Sequence, residues 1–192
     1  FTMVVWILLG VFGGLLLIAG IIVAWVIAVY NSLIKLRNNA EEGYSTMDVY
    51  MKKRYDLIPN LVETVKGYAK HEKEALEGVM QARYSCMSAN DPEERAKSEN
   101  MLTGTLKTLF NVTENYPELK ANQNFIELSN TLKNLESEIA SSRKYYNGCV
   151  KILNNKIEMF PSNLVARRFK FEKKVLFEIE NKEEKVAPKV QF

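Results

Sequence analysis

FTMVVWILLGVFGGLLLIAGIIVAWVIAVYNSLI, residues 1–34, carries no charged side chain, and Lys35 is the first. The run exceeds the roughly 20 apolar residues that cross about 30 Å of hydrocarbon, so it predicts a transmembrane helix. Trp6 and Trp25 stand 19 positions apart. At the α-helical rise that is roughly 29 Å, which sets one indole at each interface, with Tyr30 just beyond the second. Nothing basic precedes the helix, whereas Lys35, Arg37, Lys52, Lys53 and Arg54 follow it. By the bias of Lys and Arg toward the cytoplasmic flank, the N-terminus is expected outside and the rest of the chain in the cytoplasm.

Small residues recur at helical spacing within the run: Gly10, Gly14, Gly20, Ala24 and Ala28. Such a ridge lets two helices approach closely in lipid and is the candidate for self-association. Two other readings of the run fit less well. A cleaved secretory signal has a basic start and a much shorter apolar core. A pilin-like chain carries Glu at its fifth mature position, where this chain has Val5.

The rest of the chain is long enough for one domain. Net charge is +3 across 192 residues, which points to no polyelectrolyte partner such as nucleic acid. No Pro interrupts residues 1–58, and no Gly lies between Gly20 and Gly43. The membrane helix is therefore expected to run on into a first cytoplasmic helix, along a seam of Leu33, Leu36, Ala40, Gly43, Met47, Tyr50 and Arg54. A helix reaching residue 54 is roughly 75–80 Å long. Tyr55–Pro59 is then expected to break it, with Asp56 capping the next helix and Pro59 in its first turn; a kinked continuous helix is the alternative.

The second seam reads Ile58, Leu61, Val65, Tyr68, Glu72, Leu76, Val79, Arg83 and Cys86. Asn90-Asp91-Pro92-Glu93-Glu94 is a helix start, with a cap, a proline at the first position and early carboxylates. The third helix continues to Tyr116 and ends at Pro117. Asn122 is expected to cap a fourth, whose seam runs from Phe125 to Leu153 and stops at Phe160-Pro161. The expected fold is all-α: a transmembrane helix (1–30), an elongated antiparallel four-helix bundle (31–160) and a short irregular tail (161–192).

Chemistry is sparse. His71 is the lone histidine, too few for a di-iron carboxylate bundle, and nothing marks a nucleophile beside it. No phosphate-binding glycine loop is present. Cys86 and Cys149 fall on apolar seams and read as small buried hydrophobes, with a mutual disulfide as the lesser reading. No catalytic residue, metal or cofactor is expected. Basic and aromatic residues mix in Val165–Phe177, a tail expected to pack its phenylalanines on the bundle. Anionic lipid is its better partner if it folds back toward the membrane.

Arg54-Tyr55-Asp56-Leu57-Ile58-Pro59-Asn60-Leu61-Val62-Glu63, continuing to Glu72, closely resembles the signature of the bacterial LemA family. Tyr30-Asn31-Ser32-Leu33, Leu36-Arg37-Asn38, Tyr116-Pro117-Glu118-Leu119-Lys120-Ala121-Asn122, Tyr145-Tyr146-Asn147 and Phe160-Pro161 resemble it further. Where the family often has a small residue followed by Trp, this chain has Gly43-Tyr44. The resemblance implies a membrane anchor bearing a cytoplasmic antiparallel bundle and brings no enzymatic activity. A related branch acts in forming magnetosome membranes, which implies membrane shaping. Arg54, Asp56 and Asn60 form a candidate docking surface, weighed against simple capping with Arg54 paired to Asp56. The expected function is a non-enzymatic scaffold that self-assembles on the lipid bilayer. The alternative is an adaptor presenting its bundle to another membrane protein, such as a protease or signalling complex.

Overall fold

The computed structural model describes residues 2–178. The charged stretch Glu180–Gln191, part of the tail expected to be irregular, lies outside them. Every regular element among the described residues is a helix: α1 (Thr2–Tyr68), α2 (Lys73–Ser88), α3 (Pro92–Thr113), α4 (Pro117–Lys120), α5 (Gln123–Glu158) and α6 (Ser162–Arg168). An 18-residue window of α1 has a mean hydropathy of 2.8, long and apolar enough to cross a membrane, and none of it is buried by the chain itself.

The main departure from expectation is at Pro59. The expected break at Tyr55–Pro59 does not occur; α1 is one helix of 67 residues with Pro59 inside it. A proline within a helix removes one hydrogen bond, here the one that would reach the Tyr55 carbonyl four residues back. Arg83 Nε donates to that carbonyl at 2.8 Å and takes the place of the missing N–H. Asp56 is therefore not a cap but an exposed mid-helix residue. The break falls instead at Ala69–Glu72, where Ala69 N donates to Val65 O at 2.8 Å and Leu76 N to Glu72 O at 3.2 Å. His71 lies in that turn, exposed.

The other helix starts follow their local chemistry. Asp91 Oδ1 accepts from Glu93 N at 2.9 Å and Glu94 N at 2.8 Å, with Pro92 at the first position of α3. Asn122 Oδ1 accepts from Phe125 N at 3.1 Å and caps α5. α3 ends at Thr113, earlier than expected, and the Pro117 segment forms the separate turn of α4. α6 lies in the stretch expected to be irregular.

The chain divides into two compact units. The first comprises residues 1–41 and 148–174. Its core is Val29, Leu33, Leu153, Val165 and Ala166, with Val26, Tyr30, Leu36, Ile157 and Phe171 packed around it. α6 closes with a Schellman turn: Lys170 takes a φ of 55°, Lys170 N donates to Arg167 O at 3.2 Å, and Phe171 N donates to Ala166 O at 2.9 Å. That reversal returns Phe171 to α1, where it meets the Tyr30 ring at 5.8 Å and lies 5.7 Å beneath the Arg37 guanidinium. Asn154 then holds the chain at Lys174 like one rung of a ladder, giving 2.8 Å to its carbonyl and taking 3.0 Å from its amide.

The second unit comprises residues 42–147 and the segment from 175. Its buried side chains include Met47, Met51, Ile58 and Leu61 on α1, Val79 on α2, Leu102 and Leu109 on α3, and Ile139 on α5. Asn147 makes the same two-way rung with Phe177, at 3.0 and 2.8 Å, and Phe177 is buried beneath the Arg143 guanidinium at 5.4 Å. α1 and α5 approach closely at Gly43, where a Cβ would meet the Tyr145 ring at 3.1 Å and the Tyr146 Cα at 3.3 Å. Backbone cannot rotate away as a side-chain tip can, so a large residue there forces the helices apart. Gly43→Leu is expected to destabilise by about 1–3 kcal/mol. Gly104→Ala, on an exposed face of α3 with nothing near its Cβ, is expected to stabilise by up to about 1 kcal/mol. Chemical denaturation of both variants checks the contrast.

Candidate functional site: a buried arginine and two carboxylates

Arg54 is wholly buried, although the sequence offered it as part of a docking surface. It stands on the packed seam of α1, and its guanidinium has two carboxylate partners. Nη2 pairs with Glu99 of α3, a residue fully shielded from solvent, and Nη1 pairs with the half-exposed Glu136 of α5. Nη1 also reaches Thr103 Oγ1 at 3.2 Å, and that hydroxyl donates to Glu136 Oε1 at 3.3 Å. The second oxygen of Glu99 accepts from the Tyr55 hydroxyl. The expected ion pair of Arg54 with Asp56 is replaced by these partners. Arg54 and Tyr55 come from the same signature as Pro59, and Arg83 beneath them closes the Tyr55 carbonyl. One short stretch of α1 thus holds a charge pair, a phenol and a freed carbonyl, each with a partner on another helix.

The electrostatics follow from burial. Desolvation pulls the Arg54 guanidinium down, but Glu99 and Glu136 offset it and the net shift is upward, so the cation persists. Burial and then the Glu99 carboxylate raise the Tyr55 phenol well above its ordinary value. Cys86, fully buried beside the same carboxylate, is pushed up to about 12, again by burial first and Glu99 second. A nucleophilic cysteine needs a lowered pKa, so this thiol is held in its unreactive form. Both cysteines are free. Among the described residues no group of three His, Cys, Asp or Glu is placed to hold a metal.

The remaining sequence-predicted residues fall in different places. Asp56 and Asn60 are exposed. Asn60 lines an open, polar cleft of about 540 Å³ between α1 and α5, with Glu63, Thr64, Asn124 and Glu127. Trp6 is exposed, Trp25 borders on half-burial, and Lys35 and Arg37 reach solvent. Tyr30 is partly covered by Phe169, ring to ring at 4.8 Å. A Cβ at Gly10, Gly14 or Gly20 meets nothing within 4 Å, and Ala24 and Ala28 are exposed. The sequence did not single out Glu99, Glu136, Thr103 or Tyr55. Glu99 left one signal, as a carboxylate three residues before Leu102 on the buried seam of α3.

These features define a helical protein with one helix long and apolar enough to cross a membrane, and with an ionic network in its polar core. The chain belongs to the LemA family: the family model described as "LemA family" matches residues 43–192. The chain is also similar to Protein LemA of Metamycoplasma hominis, 26% identical over 142 residues. That alignment covers 72% of this chain and 64% of the relative, so the chain spans somewhat under two thirds of that protein's length.

Two outcomes test the network. The Arg83 bond to a carbonyl left open by Pro59 is worth about 1.5–3 kcal/mol, so Arg83→Met should destabilise by that amount. In a Pro59→Ala background, where an N–H again serves Tyr55 O, the same substitution should cost much less. The second outcome concerns pH. The folded state holds the Cys86 proton more tightly than the unfolded state, whose thiol titrates near 9.0. The stability linked to this proton is therefore fully present below pH 9.0 and is lost as pH climbs toward about 12. The slope is at most about 1.4 kcal/mol per pH unit for one group. Tyr55 adds to the loss at the alkaline end. Cys86→Ala should flatten the first part of that fall in denaturation curves taken across this range.

Proposed function

We propose that the chain is a non-enzymatic, single-pass protein of the bacterial cytoplasmic membrane, a scaffold that self-assembles and organises or shapes that membrane. In this reading residues 1–30 cross the bilayer with the N-terminus outside. An antiparallel helical bundle of residues 31–160 stands in the cytoplasm, and its partners are lipid and further copies of itself.

One observation carries the reading. The most apolar 18-residue stretch of α1 is covered by nothing in its own chain, and it belongs to the same unbroken helix as the Arg54 network. Gly10, Gly14 and Gly20 leave open space beside that helix, the kind of surface on which membrane helices pair. The Cys86 thiol held protonated supports the non-enzymatic side of the proposal.

Native mass spectrometry in detergent and in nanodiscs tests it. The expected result is an oligomer in both, weakened when Gly10, Gly14 and Ala24 are changed to Leu. A strict monomer in both media overturns the scaffold. The adaptor reading draws on the polar cleft at Asn60. A photoreactive residue at Asn60 should crosslink to a second copy under the scaffold proposal and to a different membrane protein under the adaptor.

A further inference from the structure

The turn joining α5 to α6 leaves large apolar side chains in solvent. Met159 is 63% exposed, Phe160 77% and Leu164 56%. The turn itself is well closed. The Ser162 hydroxyl lies 2.7 Å from Lys156 O and 2.8 Å from Met159 O and shares its one proton between them, and Asn163 N donates to Met159 O at 2.9 Å. So these side chains are presented by an ordered element, not by a frayed end. Single exposed apolar residues need no explanation, but a cluster on a fixed turn does.

Its position on α1 supplies one. The other face of the same element, Val165, Ala166 and Ile157, packs on Val26, Val29 and Leu33 of α1. Phe169 packs on Tyr30 at 4.8 Å. α5 runs against α1, since Arg54 meets Glu136 while Gly43 lies beside Tyr145. Within the first unit, Leu153 and Ile157 of α5 pack in one core with Val26, Val29 and Leu33 of α1. Met159 and Phe160 follow Ile157, which packs in the core that holds Val26, Val29 and Leu33 of the charge-free run. Arg167, Arg168 and Lys170 follow within the next ten residues and are all exposed. The nearby acid Glu158 is already paired to Lys173 at 2.6 Å.

Apolar residues beside a cluster of cations, held where a spanning helix leaves the hydrocarbon, match an anionic lipid surface. We propose that the α5–α6 turn is an interfacial docking element: Met159, Phe160 and Leu164 enter the acyl boundary of the bilayer that α1 crosses, and Arg167, Arg168 and Lys170 bind anionic headgroups. The proposal rests on α1 spanning that bilayer. It adds a second point of attachment, which fixes the tilt and rotation of α1 and sets the lipid preference of the protein.

The full chain labelled at its methionine methyl groups and placed in nanodiscs tests both levels at once by NMR. Lipids carrying a spin label near the headgroup end of the chain broaden any methyl that lies among them. Met3 on α1 reports the span, Met159 reports the turn, and the buried Met47 and Met51 report that the fold is intact. The expected result is that Met3 and Met159 both lose intensity by about twofold or more. The loss at Met159 should be larger in discs containing phosphatidylglycerol than in phosphatidylcholine alone. Arg167→Gln with Arg168→Gln should abolish that difference, and Phe160→Ser should reduce the Met159 loss, with Met47 and Met51 unmoved. Broadening of Met3 with Met159 untouched overturns the docking element and leaves the turn to a protein partner. An untouched Met3 overturns the spanning reading and the proposal with it.

Discussion

A buried guanidinium cannot shed its proton, so the fold must deliver a carboxylate to Arg54 or not form. Glu99 of α3 and Glu136 of α5 are that delivery, and Tyr55 occupies the oxygen of Glu99 that Arg54 leaves free. These contacts work only in one register. Sliding α3 by a turn moves Glu99 about 5.4 Å along its axis. That would leave two opposite charges unpaired in a region closed to water. Apolar seams tolerate such slips far better, because leucines spaced by three and four meet other leucines at the next turn. The ionic network therefore supplies alignment that the seams of Leu102, Leu109 and Ile139 do not.

The same stretch of α1 explains how a proline sits inside a 67-residue helix. Pro59 opens the Tyr55 carbonyl, Arg83 closes it, and Tyr55 itself is fastened through its hydroxyl to Glu99. Helix continuity and network are thus one construction. Its consequence is that the apolar segment and the polar core lie on a single helix, with no linker between them.

Much of this was legible in the sequence, and the misses have physical causes. The apolar run, the start of α3 at Asp91-Pro92 and the Asn122 cap rest on local chemistry, and the structure bears out the helices they announce. The continuation of the apolar helix into the following one was readable from the lack of Pro before residue 59 and of Gly between Gly20 and Gly43. The break at Tyr55–Pro59 was misplaced because a proline signals a lost hydrogen bond, and whether a distant arginine supplies a replacement is a tertiary fact. The four-residue turn at Ala69–Glu72 carries no comparable local signal. Arg54 was noticed as unusual, but a seam position was the better clue: a cation at helical spacing with Met47 and Tyr50 belongs among buried groups and needs acids on other helices. α6 was missed because its seven residues are too few for a periodic pattern.

The most direct test of the central claim is a double-mutant cycle on Arg54→Met and Glu99→Met, read by chemical denaturation of the full chain. Removing either partner strands a buried charge and should cost about 3–5 kcal/mol. Removing both replaces the pair by apolar side chains of similar length, so the double variant should be more stable than the sum of the singles by at least about 2 kcal/mol. Additive losses, or single losses below about 1 kcal/mol, would mean that the pair does not couple these helices and would contradict the account.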